Sequence, residues 1–93
     1  MNKLEEARIK IDEIDSKIIE LYEQRMNMVK DVIEYKIQNN IPILDSSREK
    51  IMLEKNLEKI NSIEFRKYYK AVLEGFLKAS KDMQKDILDN EKQ

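Results

Sequence analysis

From Lys3 to about Asn39 the chain contains neither glycine nor proline, and its apolar residues recur at steps of three and four. That spacing lines one face of an α-helix, so the segment predicts a single amphipathic helix of unusual length. At 1.5 Å per residue it would run roughly 55 Å, whereas a compact globule of 93 residues has a radius of gyration near ~12 Å. A lone chain cannot cover such a helix, and its apolar stripe would stand in water for much of its length. The geometry implies an interlocked homodimer in which each long helix packs on its partner.

The remaining elements follow from punctuation. Asn39-Asn40-Ile41-Pro42 stops the first helix, because Asn tolerates a left-handed cap and residues before proline are pushed out of the α region. Residues 42 to 45 form a short connection. Ser46-Ser47-Arg48-Glu49 reads as a capping box with Ser46 at the cap, followed by Ile51, Met52, Leu53, Leu57 and Ile60 as the buried side. After a break at Asn61-Ser62, a third helix is expected from about Ile63 to Asp89, with the stripe Phe65, Tyr69, Val72, Phe76, Met83 and Ile87. Asn90 to Gln93 read as a polar, frayed tail. The expected fold is all-α: three helices, one very long, in a single domain over residues 1–93.

Composition removes whole classes of chemistry. With no cysteine and no histidine, the chain lacks the thiolate nucleophile, the usual general base and the commonest metal ligand, so no cofactor or metal is expected. Eighteen Lys and Arg against nineteen Asp and Glu provide no basic footprint for nucleic acid. The amino-terminal residues carry acids where a signal peptide needs an apolar core, and no apolar run reaches membrane length. These features predict a cytoplasmic protein with neither nucleic-acid nor membrane partners.

Three cations share the apolar stripe of the first helix: Arg8, Arg25 and Lys36. Buried unpaired charge is costly, so each needs an anion, a water-filled cavity or a place at the rim. Arg8 and Lys36 lie near opposite ends of the helix, where long side chains can snorkel; mid-helix Arg25 needs an internal ion pair or a ligand. On the third helix the stripe continues into Ser80 and Gln84, four residues apart on one face. Arg48 opens the second helix beside Glu49, and arginine's planar fork suits bidentate carboxylate recognition. A solvated first-turn position accounts for Arg48 equally well, and capping for Glu49. Taken together, cations on one stripe and neutral donors on another describe a small cavity in a helical bundle that suits a compact polyanion. Ser80 has no visible base and the carboxylates form no ligand cluster, which leaves binding, or a reaction needing only shape and electrostatics.

The series Arg8, Asp15, Arg25, Lys36, Pro42, Asp45, Arg48-Glu49, Ser80 and Gln84 resembles the all-helical class of chorismate mutases over nearly the whole chain, roughly residues 4–85. The resemblance implies the Claisen rearrangement of chorismate to prephenate, toward phenylalanine and tyrosine, in an intertwined dimer. By the same resemblance, Arg25 and the Arg8 of a second chain hold the two carboxylates of the substrate, assisted by Arg48 and Ser80. Lys36 and Gln84 donate to the ether oxygen, while Glu49 and the backbone near Asp45 take the ring hydroxyl. Asp15 matches a structural position.

Two departures from the family pattern stand out. The connection at Asn61-Ser62 is short, and Lys81 is polar where some relatives place an apolar side chain, so that it either points to solvent or adds positive charge at the mouth. Nothing in the chain suggests a fused second enzyme, so a free-standing mutase is expected. The alternatives are an isochorismate pyruvate-lyase on the same fold and a non-catalytic dimeric helical module whose stripe charges set register.

Overall fold

The structure is a computed structural model that describes residues 1–43 and 45–91. It is all-helical among the described residues, with α1 at Lys3–Gln38, α2 at Ser46–Glu58 and α3 at Ile63–Glu91. Leu44, within the expected connection, and Lys92 and Gln93, within the expected tail, lie outside the described residues.

Each helix end has a local cause. Asn2 caps α1, its side-chain oxygen accepting from the Glu5 N–H at 2.9 Å, and Glu5 and Glu6 complement the positive end of the helix dipole. At the other end Asn40 adopts φ 56°, a left-handed conformation that Asn tolerates. The chain reverses there, so that the Ile41 N–H donates to the Lys36 carbonyl at 2.8 Å.

The start of α2 corrects the sequence reading. Asp45, not Ser46, is the cap, and its carboxylate accepts from the Arg48 N–H at 3.0 Å. Asp45 stands one residue earlier, where its side chain reaches the third helical N–H, and Ser46 is already inside the helix. This shift also moves Glu49 to the fourth helical position, out of the reciprocal capping place. At the α2–α3 corner the Arg66 Nε–H donates to the Ile60 carbonyl at 3.0 Å. The third helix runs to Glu91, so Asn90 is helical instead of lying in a tail.

Helix α3 packs against both other helices, and among the described residues α1 and α2 meet only through it. The chain measures 55 × 26 × 15 Å with a radius of gyration of 16.9 Å, well beyond the compact value of ~12 Å for this length. Every residue from Met1 to Gln24 is exposed. Ile33 and Leu73, at 0% and 2% relative exposure, are the buried apolar side chains among the described residues. Ile51, Phe65 and Val72, expected in the core, are exposed. Among the described residues no second element of the same chain covers the faces they occupy. Tyr69, Phe76, Met83 and Ile87 are half-buried, as are Met52, Leu53, Leu57 and Ile60.

The exposed apolar residues of α1 are ordered. Leu4, Ile11 and Ile18 recur at sevens, as do Ile14, Leu21 and Met28, and these six are between 49% and 62% exposed. A sevenfold repeat of apolar residues is the pattern by which one helix seats along another.

Candidate active site

One cavity of about 300 Å³ opens between the carboxy-terminal half of α1, the first turns of α2 and the carboxy-terminal half of α3. Seven of the eight residues expected at a site line it: Arg25, Lys36, Asp45, Arg48, Glu49, Ser80 and Gln84. Met28, Val29, Val32, Ile43, Met52 and Leu77 complete the wall with apolar surface. Charged groups set in low-dielectric walls act on a ligand more strongly than they would in water.

Arg25 is fixed from two sides. Its Nη1–H donates to Ser80 Oγ at 2.7 Å, and its guanidinium carbon lies 5.4 Å from the centre of the Phe76 ring. Ser80, only 6% exposed, donates its own proton to the Phe76 carbonyl one turn back at 2.9 Å. That donation directs a lone pair of the hydroxyl oxygen at the arginine, so the direction of both bonds is determined. Ion pairing of Arg25 with an acid, one of the sequence alternatives, does not occur among the described residues.

Lys36 is likewise held by a neutral group. Its ammonium donates to the Ile43 carbonyl at 3.1 Å, which leaves two N–H donors and the full positive charge for a ligand. Asp45 spends one carboxylate oxygen on capping α2. Glu49, half-buried, pairs with Lys81 at 2.9 Å. Lys81, itself exposed, thus brings its ammonium to the mouth of the cavity as the partner of Glu49, and it is a lining residue that sequence reasoning left undecided.

Arg8 is the exception. It is exposed and does not line the cavity, and seventeen residues of helix separate it from Arg25, about 25 Å along the axis. No side chain spans that distance, so the chain does not bring its own Arg8 to its own cavity. The cavity thus contains cations, neutral donors and two carboxylates, with no nucleophile paired to a base among the described residues.

The family model for chorismate mutase type II matches residues 7–85. The chain belongs to the chorismate mutase type II family. The chain is 49% identical over 55 residues to a chorismate mutase of Methanocaldococcus jannaschii, covering 59% of this chain and 56% of that one. A bifunctional chorismate mutase/prephenate dehydratase of Buchnera aphidicola subsp. Schizaphis graminum is 45% identical over 64 residues, covering 67% of this chain and 17% of that protein. The chain thus spans about half the length of the first relative and less than a fifth of the second. The family match runs from the residue before Arg8 to the residue after Gln84, and so takes in the whole series from Arg8 to Gln84.

Sequence reasoning missed the support around these residues. Phe76 was assigned to the stripe, yet its ring and its carbonyl both serve Arg25. Its position four residues before Ser80 was the available signal, since a helical serine can donate to the carbonyl at i−4. The Ile43 carbonyl had no signal, because a backbone acceptor in a connection depends on the path of the chain. No described helix is long and apolar enough to cross a membrane.

Proposed function

We propose that the protein, a single domain over residues 1–93, is a chorismate mutase that converts chorismate to prephenate for aromatic amino-acid synthesis in the cytoplasm. The observation that carries the reading is the convergence of Arg25, Lys36, Arg48, Ser80 and Gln84 on one cavity that lacks any nucleophile–base pair. In this rearrangement the ether C–O bond breaks as a C–C bond forms within one molecule, so no proton acceptor or covalent intermediate is needed. Arg25 and the Arg8 of a second chain hold the two carboxylates of the dianion, with Arg48 and Ser80 assisting, and so keep it in its compact conformer, an orientation effect. Negative charge grows on the ether oxygen as C–O cleavage runs ahead, and Lys36 with Gln84 stabilises that charge more than the ground state. Glu49 accepts from the ring hydroxyl.

The working unit in this reading is an intertwined homodimer, with Arg8 of a second chain completing each site. Ile33 and Leu73 are the fully buried apolar side chains among the described residues, so most of the apolar surface of α1 is left for a partner to cover. The sevenfold apolar seam of α1 supports a second copy as its cover, and an antiparallel α1 carries Arg8 toward the far cavity.

The test is direct. Purified protein is added to chorismate, loss of the diene absorbance is followed, and the product is identified by chromatography. Prephenate is expected. Untouched chorismate would end the mutase reading and leave the lyase, tested with isochorismate, or a binding module.

A further inference from the structure

The described ion pairs are of two kinds. Lys70–Glu74 and Lys78–Asp82 link successive turns of α3 on its exposed surface, whereas Lys81–Glu49 joins α3 to α2, and both of its residues line the cavity. Its side chains are 45% and 25% exposed. A pair this open to solvent adds little to stability, because screening and side-chain entropy offset most of the Coulomb gain. What the pair does provide is direction. Lys81 engages Oε2 of Glu49, which turns the carboxylate across the α2–α3 crevice and leaves Oε1 for a second donor.

We propose that Lys81 is a positioning residue, whose ammonium holds the Glu49 carboxylate in the orientation that accepts the hydroxyl of a cyclic, hydroxylated dicarboxylate substrate. The inference rests on the mutase reading above. Three observations support it together: the 2.9 Å contact, the location of both residues on the cavity wall, and the release of Glu49 from capping duty by Asp45. A flexible Glu offers many rotamers, and an acceptor held in one of them loses less entropy on binding. The ammonium also balances one carboxylate in a cavity that must attract an anion. Without Lys81, Glu49 stands beside the dianion as an uncompensated negative charge.

The experiment is a double-mutant cycle with chorismate, measuring kcat and KM separately for wild type, Lys81→Met, Lys81→Arg, Glu49→Gln and the double variant Glu49→Gln/Lys81→Met. Circular dichroism and size-exclusion chromatography establish that each is folded and assembled like wild type. Lys81→Met is expected to lower kcat/KM about tenfold, with Lys81→Arg within about threefold of wild type. The double variant is expected to be no slower than Glu49→Gln, because Lys81 acts through Glu49. Losses that multiply in the double variant, or a Lys81→Met protein as active as wild type, overturn the proposal. A readout independent of turnover is the Glu49 side-chain conformation from NMR couplings. It should change from one rotamer to several in Lys81→Met, and an unchanged single rotamer overturns the proposal even if wild type leaves chorismate untouched, the outcome that separately ends the mutase reading.

Discussion

Ser80 Oγ accepts from Arg25 at 2.7 Å while donating to the Phe76 carbonyl at 2.9 Å, which joins α1 to α3 across 55 residues of sequence. A buried hydroxyl with both its proton and a lone pair committed is a fixed support, and the guanidinium it holds is aimed before any ligand arrives. Ser80→Ala should therefore leave the fold intact, since water can take over the freed arginine donor at the cavity. It should cost activity through loss of Arg25 orientation, by about tenfold in kcat/KM, within the 0.5–3 kcal/mol range of coupled polar contacts. Steady-state kinetics beside thermal unfolding checks both halves, and a large fall in Tm with unchanged kcat/KM would assign Ser80 to stability instead.

Lys36 carries the sharpest kinetic expectation. Lys36→Ala should reduce kcat by about 10²–10³, the range for removing one preorganised donor to a developing oxyanion. The lost bond to Ile43 should lower stability by only about 1 kcal/mol. A folded Lys36→Ala protein with near-native turnover would remove Lys36 from the mechanism.

The distance between Arg8 and its own cavity makes a test of shared sites possible. Arg8→Ala and Arg25→Ala homodimers should each be nearly inactive. After mixing and subunit exchange, half the molecules are mixed dimers with one of two sites intact, so activity should return to about a quarter of wild type. No recovery, with exchange established by mass spectrometry of the mixed species, would mean that each site is built within one chain.

Capping at the start of α2 separates Asp45 from its neighbour. Asp45→Ala should destabilise by about 1 kcal/mol, as typical for a lost amino-terminal cap, a fall in Tm of about 4–8 °C for a domain of this size. Ser46→Ala, inside the helix, should be close to neutral. The reverse order in thermal denaturation would restore Ser46 as the cap.

Some of this protein was legible before any coordinates. Helix lengths follow from local physics: an uninterrupted 3.6-residue period, one proline after two asparagines, and a Ser-rich start are read residue by residue. The polar intruders Arg25, Lys36, Ser80 and Gln84 were also visible, because a cation or amide on an apolar stripe conflicts with the pattern around it. The cap at α2 was misplaced by one residue because Asp and Ser are both good caps and stood side by side. The expected burial of Ile51, Phe65 and Val72 failed for a different reason: periodicity identifies an apolar face but does not say which element covers it.

What tertiary structure alone decided is pairing between distant positions. That Ser80 reaches Arg25, that Lys36 finds the Ile43 carbonyl, and that Lys81 meets Glu49 depends on the angle and register at which α3 crosses the other two helices. Those are set by the packing of side chains such as Ile33 and Leu73, a long-range property that no local spacing encodes. Local sequence determined the helices and the residue types available for chemistry, and the crossing of the helices determined which of those residues share a cavity.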